Sequence, residues 1–314
     1  MMRHDARFST RPLTGLCLAA ACMAASIVMA ADPPSSCRTL RTMARVRVAL
    51  GQYDKAQTLA EVALRQARAI DAGDEELALC MLDLAVVYQN RDRLVEARDL
   101  FVEGVALQRR TLWKHHPYIA YSLRMLADVY RQMADFDAAG RTLDEAIALL
   151  GRTHLPNDPA MWMFQVDRAK LLMDQNLLDE AQAILDPAVE ALRNAYGSDH
   201  PCTADVLRDR AVLRLRQGRW HEARDDIDES RRFQEHGLDV YAMTLVPAWL
   251  IEVPVYYAVG PNAEAESCLL QALEAVGEDH DVVQGAGLRE KIARIGTEAQ
   301  YASASRTAAG SSDW

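Results

Sequence analysis

Six alanines, Ala56, Ala97, Ala139, Ala181, Ala223 and Ala265, stand 41, 42, 42, 42 and 42 residues apart. A fixed period of this length marks one supersecondary unit stacked on copies of itself. It restricts the chain to an array in which each unit buries its apolar face against the next. The period also holds at neighbouring sites. Seven residues after each ruler alanine come Ala63, Gly104, Ala146, Ala188, Ser230 and Ala272. Twelve residues before it come Ala44, Ala85, Ala127, Ala169, Ala211 and Val253, and four after it Ala60, Phe101, Leu143, Leu185, Ile227 and Leu269. Nearly invariant small sites let two backbones approach closely, and the larger apolar site fills the space beside them.

Each unit reads as two helices. From Ala120 to Met133 the apolar residues Leu123, Leu126, Ala127 and Tyr130 form one helical stripe, and from Ala138 to Leu150 the pattern resumes at Ala139, Leu143, Ala146, Ile147 and Leu150. Ala134-Asp135-Phe136-Asp137 is the turn between them, and it recurs at Gly51–Lys55, Asn90–Leu94, Asn176–Glu180 and Gly218–Glu222. Tyr53, Phe136, Leu178 and Trp220, three residues before their ruler alanines, are placed to seal these corners. Between units, His116-Pro117, Asp158-Pro159 and His200-Pro201 recur at 42 residues. Proline lacks an amide donor but fits the first turn of a helix, so each pair ends one unit and opens the next.

These features resemble the tetratricopeptide repeat. Its common unit is about 34 residues; the longer unit here resembles the kinesin-light-chain type. The resemblance is carried by Leu192–Pro201 with Thr203, Ala204 and Leu207, and by Leu84, Ala85, Tyr88, Ala97, Phe101, Ala106 and Leu107. It covers about residues 38–280. It implies an all-α, right-handed α-solenoid of about six helix-turn-helix repeats, with first helices on a concave surface that accepts peptide cargo. Arg168 and Arg210 depart from the family pattern by replacing the usual Leu before the small residue of the first helix. In the sixth unit Pro247 and Pro254 predict a kinked or short helix. Val282 to Ile295, with apolar Val283, Leu288, Ile292 and Ile295, predicts a capping helix. Residues 296–314 carry too little apolar content to order themselves.

Arg3, Arg7 and Arg11 precede an uncharged stretch from Pro12 to Ala31 that ends in Val28-Met29-Ala30. This is a secretory signal pattern over residues 1–30, followed by a linker over 31–37 and the solenoid over 38–295. Two alternatives stay open: the stretch is long enough to remain as a membrane anchor, and Ala19-Ala20-Ala21-Cys22 is a weak lipoprotein acceptor. The chain is expected to be exported, to the periplasm or beyond, or anchored facing the periplasm. Its formal net charge is −10, which argues against general nucleic-acid binding. An oxidising compartment permits a Cys37–Cys80 disulfide, since the two lie near the starts of adjacent first helices; buried thiols are the other reading.

Little in the chain points to catalysis. His221-Glu222-Ala223-Arg224-Asp225 lacks the second His of a zinc-protease helix. His115-His116 has no clustered partner ligands, and Asp225, Asp226, Asp228 and Glu229 lack calcium-loop spacing. There is no phosphate loop and no nucleophile elbow. No cofactor or metal is expected. Fifteen and eleven residues before the ruler alanines fall Arg41, Arg45, Arg124, Lys170 and Arg208, joined eight before by Arg131. These six predict a basic inner stripe for the carboxylates of a peptide or protein partner; the bland alternative is that Asp128, Asp205 and neighbouring units neutralise them. The expected function is a non-enzymatic scaffold or adaptor in the bacterial envelope or a secretion assembly. The alternatives are a structural or oligomerising spacer and a membrane-anchored adaptor.

Overall fold

The structure is a computed structural model, and it describes residues 36–198 and 200–235 together with Val253, Tyr256 and Ser267. The expected signal segment, most of the sixth unit, the expected capping helix and the expected disordered tail lie outside the described residues. Among the described residues ten helices form five consecutive hairpins: α1 (Cys37–Ala49) with α2 (Tyr53–Ala69), α3 (Gly73–Asn90) with α4 (Leu94–Thr111), α5 (Pro117–Gln132) with α6 (Phe136–Leu150), α7 (Pro159–Asp174) with α8 (Leu178–Tyr196), and α9 (Pro201–Arg216) with α10 (Trp220–Glu235). No strand occurs among the described residues.

The turn inside each hairpin has one backbone solution, repeated five times. Gly51, Asp92, Ala134, Asn176 and Gly218 all have positive φ, between 59° and 75°. In the third repeat the Ala134 amide donates to the Arg131 carbonyl and the Asp135 amide to the Tyr130 carbonyl. This is a Schellman closure, which satisfies the last carbonyls of the first helix and reverses the chain in a few residues. The same pair of bonds closes the other four turns. The residue that predicts the corner seal is then the first of its helix: Tyr53, Phe136, Leu178 and Trp220 open α2, α6, α8 and α10.

The entries to α5, α7 and α9 follow the proline punctuation. Each Pro occupies the first helical position, and His116, Asp158 and His200 cap the helices by accepting from the amides of Tyr118, Ala160 and Cys202. An N-cap acceptor satisfies one of the four amides that a helix start leaves open. The second repeat starts differently, at Gly73 with φ +83° and no side-chain cap.

The ruler alanines are the closest points of the hairpins. Ala56, Ala97, Ala139, Ala181 and Ala223 are at most 1% exposed, and the small sites seven residues later are buried as well. Phe101, Leu143, Leu185 and Ile227 fill the gaps beside them. The core is a chain of clusters, each shared by neighbouring repeats. One joins Cys37, Leu40 and Ala44 to Cys80, Met81 and Leu84, and another joins Val166 and Ala169 to Leu185, Leu192 and Leu207. First helices also pack on first helices, α1 on α3, α5 on α7 and α7 on α9, so theirs is the tighter inner layer of the stack. Beyond α10, Val253 is fully buried, and the Tyr256 hydroxyl donates to Asp228 at 3.0 Å while accepting from Arg231 at 3.0 Å.

Candidate functional site

The inner wall is built by α1, α3, α5, α7 and α9, and a ladder of polar pairs runs along it from each helix to the next. Arg41 on α1 holds Asp83 at 2.7 Å and Glu76 at 3.0 Å on α3. Gln89 on α3 donates to Asp128 on α5 at 2.7 Å. Arg124 on α5 meets Asp167 on α7 at 2.7 Å, and Arg131 reaches Asp174 at 2.6 Å while also holding Asp128 on its own helix at 2.8 Å. Lys170 on α7 lies 3.1 Å from Asp209 on α9 and 3.6 Å from Asp167. Arg208 contacts Asp205, and Arg216 donates to the Met173 carbonyl at 2.6 Å.

The six expected cations are therefore on the wall, but they do not form a bare basic stripe. Arg41, Arg124, Arg131, Lys170 and Arg208 each face a carboxylate, which is the neutralised alternative. Arg45 is exposed and makes no ion pair with a described residue. The two register positions also differ. Fifteen residues before the ruler the side chain turns into the contact between repeats: Leu82 and Val166 are buried and Arg208 is 9% exposed. Eleven residues before it Arg45 faces outward, whereas Asp128 and Lys170 at the same register pair with the neighbouring repeat.

The carboxylates were the missing half of the site, and a signal for them stands in the sequence. Asp83, Asp167 and Asp209 all fall fourteen residues before a ruler alanine. Burial pushes the Asp209 carboxyl up, against the pull of Lys170. Asp209 in turn holds the Lys170 ammonium well above its ordinary value, so the ammonium stays charged. Between α5 and α7, Arg124, Arg131, Asp128 and Asp167 converge on a shallow cleft, partly open to solvent, with room for about one water molecule and floored by Ala127, Leu143 and Leu171.

Two other sequence readings resolve elsewhere. Cys37 and Cys80 do come together in one core cluster, but as free buried thiols and not as a disulfide. Burial pushes the Cys80 thiol up to about 12, far from the thiolate that exchange requires. Arg168 contacts Asp144 on α6. Arg210 donates to Asp226 on α10 at 2.6 and 3.1 Å, with Arg214 on the same carboxylate at 2.6 Å. Each arginine at the position of the family's Leu is thus matched by an aspartate on a second helix. Among the described residues no three His, Cys, Asp or Glu side chains are grouped to hold a metal ion.

Comparison with known proteins agrees with this geometry. Residues 93–307 match the family model of the MalT-like TPR region, and residues 35–109 match a tetratricopeptide-repeat model. No curated protein matches the chain. Among solved structures, the TPR-like repeats of a Podosopora anserina kinesin-light-chain-type protein are 24% identical, with a TM-score of 0.51 over 63% of this chain and 93% of that one. BtubC (BKLC) from P. vanneervenii is 18% identical, with a TM-score of 0.53 over 72% and 90%. NprR, solved in complex with its cognate peptide NprX, is 12% identical, with a TM-score of 0.57 over 89% and 78%. These likenesses establish a shared fold, with repeats of the kinesin-light-chain-like type. The period, the hairpins and a family model spanning more than half of the sequence lead to one assignment: the chain belongs to the MalT-like TPR region family.

Proposed function

We propose that this chain is a non-enzymatic adaptor that holds a peptide or protein segment along the inner wall of its repeats. A guest binds by exchanging its own carboxylates for those that face Arg124 and Arg131. The observation that carries this reading is the α5–α7 cleft. Arg124 and Arg131 are 30% and 25% exposed there, and each is already oriented by aspartates. A guanidinium has five donors in a fixed fork, so Arg124, held by Asp167, and Arg131, held by Asp128 and Asp174, each retain N–H groups for a further carboxylate. Preorganised donors lower the ordering cost of binding. The wall carries both signs of charge, so the guest is a segment with acidic groups set among polar ones, not a uniformly acidic tail. NprR, with its bound peptide, is the precedent for a segment held by this fold.

In this proposal the chain works outside the cytoplasm, on the strength of Arg3, Arg7, Arg11 and the apolar stretch that follows them. The test is affinity capture with matched variants. Arg208→Glu is unsuitable, because it places a second carboxylate beside Asp205 in a buried position. Arg45→Glu with Arg124→Gln removes one free cation and one cleft donor. The expected result is loss of the captured partner by a chain that keeps its helical circular-dichroism signal, with a melt broadened by the lost Arg124–Asp167 rung; a captured set identical to that of the wild type overturns the assignment of this wall.

A further inference from the structure

The inter-repeat loops carry a feature that the inner wall does not use. Trp113 and Leu155, each sixteen residues after its ruler alanine, sit at the same place in successive loops and are 56% and 77% exposed, and Tyr118 near Trp113 is 60% exposed. Consecutive repeats set equivalent loops side by side along one edge of a solenoid. Trp113 is packed edge-on against His116 at 5.6 Å, and His116 against Tyr118 at 4.7 Å, so the aromatic residues form one connected ridge. From Gly104 to Ala127 the sequence has no acidic residue, although the whole chain is at −10. Lys114 and Arg152, both exposed, make no ion pair with a described residue and lie close enough to His115 to act on its titration; burial first and then these two cations lower its pKa.

We propose that this edge is a docking surface for an anionic lipid bilayer, in which Trp113, Leu155 and Tyr118 enter the interface and Lys114 and Arg152 meet lipid phosphates. The shape favours a bilayer over a peptide. The apolar side chains protrude from loop tips instead of lining a cleft, and a protrusion needs a medium that receives it without a matching pocket. Trp and Tyr settle at the headgroup level, where one end of the ring system is apolar and the other wet. Each Lys or Arg near an anionic leaflet adds about 1 kcal/mol. No described helix is long and apolar enough to cross a membrane, so this contact lies on the surface. It is independent of the inner-wall assignment, because none of its residues lines that wall.

The test uses the full chain with vesicles of phosphatidylcholine containing about a third phosphatidylglycerol, a composition chosen for negative surface charge, with and without brominated acyl chains. Bromine is expected to quench tryptophan fluorescence, and Trp113→Phe to remove most of that quenching while the protein still sediments with vesicles. Lys114→Glu with Arg152→Glu is expected to weaken sedimentation at least about tenfold, at about 1 kcal/mol for each charge. Pure phosphatidylcholine should bind equally poorly. Since Pro12 to Ala31 is itself apolar, sedimentation that is indifferent to the charge reversal assigns the binding to that segment and overturns the proposal. So does quenching that survives Trp113→Phe, an absence of vesicle binding, or capture by a poly-glutamate peptide in place of vesicles. All three substituted positions are exposed, and an unchanged helical melt confirms that the variants are folded.

Discussion

Ala134 is held at φ +59°, where its Cβ crowds the following carbonyl. The equivalent places are taken by Gly51, Asp92, Asn176 and Gly218, residues that tolerate the left-handed region better. Replacing Ala134 with Gly is therefore expected to stabilise the protein by about 1 kcal/mol, read as a raised denaturation midpoint. Two helical glycines separate propensity from space. A Cβ on Gly140 meets only Leu171 Cδ2, at 3.7 Å, whereas a Cβ on Gly104 meets Leu82 Cδ2 at 2.9 Å. Gly140→Ala should gain about 0.5–1 kcal/mol from helix propensity. Gly104→Ala should forfeit that gain, because buried Leu82 must move at an overpacking cost of about 1–3 kcal/mol. Denaturant titration of the pair decides the point. Cys80 supplies a pH dependence. Its thiol is pushed up from 9.0 to about 12 in the folded chain. The unfolded thiol ionises first as the pH rises, so the contribution is whole below pH 9 and is lost as the pH climbs toward 12. The slope for one proton is at most about 1.4 kcal/mol per pH unit. Between pH 9 and 11 the wild type should lose stability faster than Cys80→Ala, measured against each protein at neutral pH.

At the level of elements, caps and paired helices bear the energetics. The Asp158 carboxylate accepts from the Ala160 amide at 2.8 Å at the start of α7. Asp158→Ala is expected to cost about 1 kcal/mol in a thermal melt. Arg210 and Asp226 join α9 to α10 with 10% and 3% of their side chains exposed. Removing one partner of a buried pair strands a charge and costs about 3–5 kcal/mol, while replacing both with apolar residues is often close to neutral. Arg210→Leu alone restores the family residue but leaves Asp226 with Arg214 only. It should destabilise, and Arg210→Leu with Asp226→Leu and Arg214→Met, which removes the whole buried charge cluster, should recover much of the loss. Equal melts for the single and triple variants would refute the coupling. The departure at Arg210 was visible in the sequence. Its match with Asp226 was not, because the two residues lie on different helices and nothing local links them.

Across the whole molecule, the ladder on the inner wall does for the array what a helix ladder does within one element: it fixes how far and at what angle each repeat sits from the last. Arg41 pairs with Asp83 and Arg131 with Asp174, residues 42 and 43 positions on. In a stack where units touch mainly their neighbours, stability is a sum of unit and interface contributions. A broken rung is therefore expected to loosen one interface and to broaden unfolding. Lys170→Met strands Asp209, whose side chain is 17% exposed. The cost should be about 2 kcal/mol, below that of a fully buried pair because Lys170 keeps a third of its surface in water. Hydrogen exchange should rise first in α7 and α9, and uniform exchange across the chain would contradict this account.

The sequence by itself determined the repeat, its period, the helix pairs, the small contact sites and the proline-marked entries. Each of these rests on interactions within one unit or on the size of one side chain, and such constraints leave a periodic trace. It also placed Arg41, Arg45, Arg124, Arg131, Lys170 and Arg208 on the inner helices. Only the tertiary structure decided what those cations face. That depends on the rise and rotation from one repeat to the next, which are set by the packing of whole hairpins, and a shift of one helical turn would exchange every partner on the wall. The same is true of the loop edge. Lys114 and Arg152 are far apart along the chain, and only stacking brings both close to His115.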